Sequence, residues 1–444
     1  MALLEVENLT VNFYTSEGVV TAVDELTYEI DRGEKFGVVG ESGAGKSVTA
    51  LSLLRLIESP GEIERGSIRF RDPDTVARLE ESYPDHVVDV EELRNEYDLE
   101  AVIERLEGDD DEETELADNH RYDELKESLA AGELDMRDLI DQGHASEAGV
   151  IGEEDFIVYD GDEQYVELLR APEAAVRSLR GNNVAMIFQD AQTALNPVYT
   201  VGEQISEAIR HHLDYSDEEA KQRTIELLDQ VGIPDAENRY TDYPHEFSGG
   251  MQQRAVIAMA LSCDPDVLIA DEPTTALDVT TEAKILDLLR DITDEFDTAV
   301  QLITHDLGVV AELCDQVMVM YAGQPVEKAP VEELYYDPKH PYTVGLMSSI
   351  PRIGDDRERL QTIPGSMPDL IDTPSGCSFH PRCPYAEDAC KRKEPKMVEF
   401  DEESESRSAK CLEYTDDLED GVGFTVTVED DRRMNEAVSG EHHE

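Results

Sequence analysis

Gly40-Glu41-Ser42-Gly43-Ala44-Gly45-Lys46-Ser47 fits G-x-x-x-x-G-K-[ST] and sits where a strand should turn into a helix. Ahead of it, Glu34-Lys35-Phe36-Gly37-Val38-Val39 reads as an apolar strand. Behind it, Ser47 to Ile57 is apolar at helical spacing. That is the context a phosphate cradle needs. Its glycines let the backbone bend and aim successive N–H groups at an anion, and the positive end of the following helix adds attraction. Lys46 would reach the terminal phosphates of a nucleotide, and the Ser47 hydroxyl would ligate Mg²⁺.

Working outward, Gly181 to Asp190, Val267 to Pro273 and Ala299 to Asp306 are strand-like runs that close in polar residues. Between them lie helical patterns over Val201 to Leu213, Ser216 to Val231, Met251 to Ser262 and Thr281 to Phe296. Strands alternating with helices predict a parallel sheet, whose chemistry gathers at the carboxyl ends of the strands. Residues Leu3 to Ile30 instead alternate apolar and polar around Gly18, which predicts an antiparallel edge hairpin. Phe13 and Tyr14 lie on it, and either ring suits a purine face or a half-buried strand position. The fold class expected is α/β: a P-loop nucleotide-binding core with an antiparallel β edge and a helical subdomain at about 190–247.

Transfer of a phosphoryl group to water needs neutralised phosphates, a metal and a group that orients and deprotonates the nucleophile. Asp271 is placed to hold Mg²⁺, with Ser47 and Gln189 as further oxygen donors. Glu272, next on what reads as an extended strand, is the candidate general base. His305 would bond a γ-phosphate oxygen and orient Glu272. Ser248-Gly249-Gly250, at the start of a helix, offers a second anion site. One nucleotide does not need two cradles from one chain, so this site suits a head-to-tail pair of subunits; a simple helix cap is the plainer alternative.

Composition separates a core from its additions. With 103 Asp and Glu against 37 Lys and Arg in 444 residues, the net charge is −66, which repels nucleic acid and suits a halophilic, salt-rich cytoplasm where screening is strong. The N-terminus lacks a basic region and a long apolar run, so no signal peptide is expected, and no apolar stretch reaches the length of a membrane span. From about 73 to 154 carboxylates dominate. There Leu93, Leu99, Ile103, Leu106, Leu125, Leu129, Leu134 and Leu139 recur at roughly helical spacing around the run Asp109 to Glu113, predicting amphipathic helices on a peripheral insertion. Near the other end, Cys377, Cys383, Cys390 and Cys411 form C-x5-C-x6-C-x20-C, a set able to hold a [4Fe–4S] cluster or a zinc ion. Cys263 and Cys314 read as packed core residues.

Taken in order, the Gly40 to Ser47 loop, Gln189, Phe247-Ser248-Gly249-Gly250-Met251-Gln252-Gln253, Asp271-Glu272-Pro273, Ala276-Leu277-Asp278 and His305 resemble the ATP-binding subunit of an ABC transporter. Gln189 to Pro197 and Asp337-Pro338-Lys339-His340-Pro341-Tyr342-Thr343 are similar to the dipeptide/oligopeptide importer subfamily, whose pattern nickel importers share. The resemblance implies ATP hydrolysis, with Glu41, Ser42, Gly43, Ala44, Gly45 and Val48 joining Gly40, Lys46 and Ser47 around the nucleotide. It implies base stacking by Phe13 and a dimer seam carrying Asp278. It also implies a second ATPase subunit (a homologue or the same chain), two permease subunits contacted by the helical region, an extracellular binding protein acting through them, and a peripheral place on the cytoplasmic membrane face. The expected domains are a cassette over 1–330, a peptide-importer-type region over 331–418 whose Cys377 to Pro384 segment is similar to the iron–sulfur-binding tail of such subunits, and an acidic tail over 419–444. Two rivals are a soluble cassette ATPase outside transport and a decayed adaptor; the single cassette and the intact Lys46, Asp271, Glu272 and His305 speak against them.

Overall fold

A computed structural model describes residues 2–106, 125–132, 134–189, 194–274, 278–348, 363–400, 407–415 and 417–418. The strands in chain order are β1 (Ala2–Thr15), β2 (Gly18–Asp31), β3 (Lys35–Val39), β4 (Gly61–Phe70), β5 (Val87–Asp89), β6 (Ile157–Asp160), β7 (Glu163–Glu167), β8 (Val184–Ile187), β9 (Val267–Asp271), β10 (Ala299–Thr304), β11 (Gln316–Tyr321), β12 (Gln324–Pro330), β13 (Val398–Glu399) and β14 (Ser408–Ala409). The chain forms two compact units: Met1–Lys35 with Ser47–Gln301, and Phe36–Lys46 with Leu302–Glu444.

In the first unit, β1 and β2 make the hairpin expected from the alternation, closing at Thr15 opposite Gly18. Val6, Leu9 and Val11 bury one face completely. The sheet runs β2-β1-β4-β7-β6-β5, antiparallel except for β5 beside β6. The acidic segment is therefore built into this sheet, which the sequence reading as a peripheral helical decoration did not contain. The reason is local: Val87-Val88 and Ile157-Val158 are short β-branched runs that pair in register, Val87 with Ile157. Its helices behave as the spacing predicts, with Ile103, Leu106, Leu125 and Leu139 in one buried cluster and Leu93, Leu99, Leu129 and Leu134 packed against it. Asp109 to Glu113 lies outside the described residues. Within that cluster Tyr165 is fully buried, with the guanidiniums of Arg69, Arg71 and Arg137 at 5.5, 5.3 and 5.5 Å from its ring.

The same unit holds the helical region. Thr200 caps the helix Val201–His212, and Ser216 with Glu219 forms a capping box on Asp217–Gln230. Ser206 Oγ joins the two helices through Thr224 Oγ1 at 2.8 Å and also meets the Tyr240 hydroxyl at 3.0 Å. Strands β8 and β9 pair in parallel, and all five residues of β9 are buried.

In the second unit, β3 lies parallel to β11, β11 antiparallel to β12, and β12 carries β14 and β13 from the tail. Residue 330, expected from the sequence as a domain boundary, ends β12 within this unit. Glu327 pairs with Ala409 across β12 and β14, so the tail is knitted into the sheet that bears the phosphate loop.

Candidate functional site

The phosphate loop belongs to the second unit up to Lys46. Gly40 is forced by close approach, because a Cβ there would stand 2.4 Å from the Met320 carbonyl oxygen on β11. Ala44 N–H donates back to Glu41 O at 3.2 Å, and Gly323 N–H, in the turn between β11 and β12, donates to Ala44 O at 3.2 Å. The loop is thus latched to the hairpin beneath it. Lys46 Nζ donates to the carbonyls of Gly40 (2.8 Å) and Glu41 (3.0 Å), so its ammonium is held within the loop; the residue is buried. Ser42 and Gly43 are exposed, and Lys46, Ser47 and Val48 begin the helix Lys46–Leu53.

In the first unit, β9 ends at the buried Asp271, and Glu272 follows at φ +47. The sequence reading put Glu272 on extended backbone. Its left-handed conformation turns the chain out of β9, a strained geometry for a non-glycine residue that its surroundings hold in place. Gln189, just beyond β8, donates from Nε2 to Glu272 Oε2 at 2.9 Å, so two residues 83 positions apart are brought together.

Ser248 is the cap of the helix Gly249–Ala260 and accepts from Met251 N–H at 3.4 Å. Both Ser248 and Gly249 are exposed, and open space lies where a Cβ of Gly249 would stand; Gly250 packs against Thr281, 3.1 Å from its would-be Cβ. Asp278 caps the helix Val279–Phe296, accepting from Thr280 N–H and Thr281 N–H (3.1 Å each) and from Thr281 Oγ1 (2.7 Å). The Thr281 hydroxyl and those amides hold its carboxyl below the usual range. Phe13 is half-buried on β1 opposite Gly61, where any side chain would meet its ring. Ala276 and Leu277, and Asp190 to Thr193, lie outside the described residues.

His305, in the second unit, is exposed immediately after β10. In that unit also, Cys377, Cys383, Cys390 and Cys411 line one small cavity with Phe379, His380, Tyr385 and Leu412. Gly376 makes the turn possible: it has φ +75, and a Cβ there would stand 2.4 Å from Cys390 O, the acceptor for Cys377 N–H at 2.8 Å. Burial pushes the Cys383 thiol up to about 11 and the Cys411 thiol up to about 12, and the neighbouring cysteines push the same way. Among the described residues, no three His, Cys, Asp or Glu side chains are spaced to hold a metal ion. Cys263 and Cys314 are buried.

Two contacts escaped sequence reasoning. Arg382 pairs with Glu41, 341 positions away, at 3.1–3.2 Å, and the Tyr342 hydroxyl accepts from Glu41 N–H at 3.0 Å. The only signal was Arg382 beside Cys383 and Tyr342 inside the Asp337 to Thr343 motif.

A glycine-rich loop latched over a parallel strand, with its lysine folded inward at the start of the helix Lys46–Leu53, defines a P-loop nucleoside triphosphatase core. The profile described as "ABC transporter" matches residues 23–146 and 153–275, and the one described as "Oligopeptide/dipeptide transporter, C-terminal region" matches 326–390. The chain belongs to the ABC transporter family. A relative in Brucella abortus (strain 2308), which carries the provisional name of a peptide import ATP-binding protein, is 40% identical over 395 residues, 89% of this chain and 91% of that protein. The oligopeptide transport ATP-binding protein OppD of Haemophilus influenzae is 38% identical over 398 residues, 90% of this chain and 94% of its own length. Among solved structures, the bacterial ABC transporter cassette MJ0796 in its dimeric form is 18% identical, with a TM-score of 0.49 over 74% of this chain and 98% of that one. Among the described residues no helix is long and apolar enough to cross a membrane.

Proposed function

We propose that this chain is the ATP-hydrolysing subunit of an importer of dipeptides and oligopeptides. The observation that carries the reading is the Gln189–Glu272 pair: a carboxylate turned out of β9 by left-handed backbone and held at 2.9 Å by a neutral amide. The amide donor fixes the direction of the carboxylate, which a general base for water requires. Lys46 and the amides of Gly40 to Ser47 take the phosphates, and Phe13 takes the base. His305 bonds the γ-phosphate. Ser47, Gln189 and Asp271 are oxygen donors of the hard kind that Mg²⁺ prefers. When bound, the ion neutralises charge on the transferring phosphoryl group.

The exposed Ser248-Gly249 cap and the Asp278 cap suit a seam in which a second ATPase subunit, the same chain or a homologue, meets this one's nucleotide. Phe188, Val198, Tyr199, Tyr215 and Tyr243 are exposed in and around the helical region, Val198 by 70%. Such apolar exposure fits the docking of two permease subunits at the cytoplasmic membrane face, and the extracellular binding protein acts through them. The profile match over 326–390 and the relatives' names favour peptides over nickel.

The four cysteines line one cavity; as thiolate donors they would hold an iron–sulfur cluster or a zinc ion, and the likeness of Cys377 to Pro384 to the iron–sulfur-binding tail of such subunits favours the cluster.

The test is uptake in vesicles holding this chain with the permeases and binding protein encoded beside it. ATP-dependent accumulation of labelled peptides is expected; accumulation of Ni²⁺ and not of peptides would contradict the cargo.

A further inference from the structure

Glu41 is the one acidic residue in the Gly40 to Ser47 loop, and a carboxylate in an anion cradle opposes a polyanionic ligand. The structure answers that charge. Arg382 Nη1 lies 3.1 Å from Glu41 Oε1 and 3.2 Å from Oε2, and the arginine side chain is only 7% exposed. It cannot swing freely: Nε donates to Pro364 O at 2.9 Å, and the guanidinium rests over the Tyr321 ring at 5.7 Å. A second hold on the same residue comes from Tyr342, whose hydroxyl accepts from Glu41 N–H.

Both holds are anchored in the cysteine-bearing tail. Arg382 precedes Cys383, and the N–H groups of both donate to Phe379 O, at 3.0 and 3.1 Å. The Phe379 ring packs against Tyr321 at 5.1 Å and Tyr342 at 5.4 Å, and those two tyrosines lie 4.7 Å apart. The turn that places two of the four cysteines is therefore the turn that places the arginine on the phosphate loop.

We propose that Arg382, supported by Tyr342, is a positioning residue of the nucleotide site: it neutralises Glu41 and ties nucleotide affinity to the integrity of the four-cysteine turn. The inference rests on the phosphate loop's binding ATP, and it is independent of what the cysteines hold.

The experiment measures Mg–ATP affinity of the full chain by titration calorimetry. Arg382→Ala should weaken binding about tenfold, within the usual range for coupled sites. Glu41→Gln in the Arg382→Ala background should recover most of the loss. That rescue separates charge neutralisation from a merely structural role. Gly376→Ala, which drives a methyl against Cys390 O, should weaken binding in the same way and be rescued by the same second change. Unchanged affinity in Arg382→Ala, or a double variant as weak as Arg382→Ala, overturns the proposal. Wild-type protein with no ATP affinity for Lys46→Ala to abolish overturns the nucleotide reading and this inference with it.

Discussion

Acidification should act on two buried neighbours in opposite directions, and replacing one should expose the other. His340 is buried, and its Nδ1 accepts from Tyr342 N–H at 3.1 Å, so the ring is neutral with its proton on Nε2. Burial pushes its imidazole down to about 3. The unfolded chain takes up a proton near 6.5 that the native chain refuses, so this contribution is full above that value and is lost as pH falls toward 3. Glu327, wholly buried on β12, accepts from Lys339 N–H at 2.6 Å and His340 N–H at 2.8 Å, and burial pushes it up to about 7. Here the native state binds the proton more tightly, so the stabilisation is full below about 4.5 and is lost as pH rises through 7. Between about pH 7.5 and about pH 5.5 the histidine costs about 1 kcal/mol and the glutamate contributes about 2 kcal/mol. In the wild type the two largely offset.

His340→Asn keeps an acceptor for Tyr342 N–H and removes the titration. The variant should be less stable at both values because it leaves space beside Phe379, whose ring centroid is 5.7 Å from the imidazole. Its response to acid should differ from wild type by about 1 kcal/mol toward greater stability. Hydrogen exchange of amides in β12 and the helix Pro341–Ser348, at one fixed high salt concentration, reads this directly, because protonation of other carboxylates cancels in the comparison. Identical pH responses in the two proteins would refute the reasoning.

Other outcomes follow from the cysteines and from the charge. Anaerobically purified protein should be coloured, with about four irons per chain, and colourless protein carrying zinc would end the cluster reading. The carboxylate excess of the full chain should make the fold depend on salt. Circular dichroism should show lost structure on dialysis from molar salt to about 0.01 M, where screening extends to about 30 Å; an unchanged spectrum would remove the salt adaptation.

What the sequence made legible is local. Ser248 announces its helix because a cap bonds to the amide three residues on. The Gly40 to Ser47 loop is legible because its glycines, lysine and serine must stand at fixed spacing. In the acidic insertion, Ile103 and Leu106 on one helix and Leu139 on another were readable as buried positions from their roughly helical spacing. The strands β5 to β7 were not, since runs of three to five residues carry no period of their own and are fixed by their partners. Glu272 hid its left-handed backbone because no residue type at that position requires it. Arg382 on Glu41 was beyond reach for a plainer reason: nothing in a sequence couples residues 341 apart until β12 and β14 draw the tail onto the sheet.

The most direct test of the whole account is Glu272→Gln, which keeps an acceptor for Gln189 Nε2 and removes the base. ATP hydrolysis should fall by about 10² to 10⁴, while ATP affinity persists. Hydrolysis at the wild-type rate, or loss of ATP affinity in the variant, would contradict it.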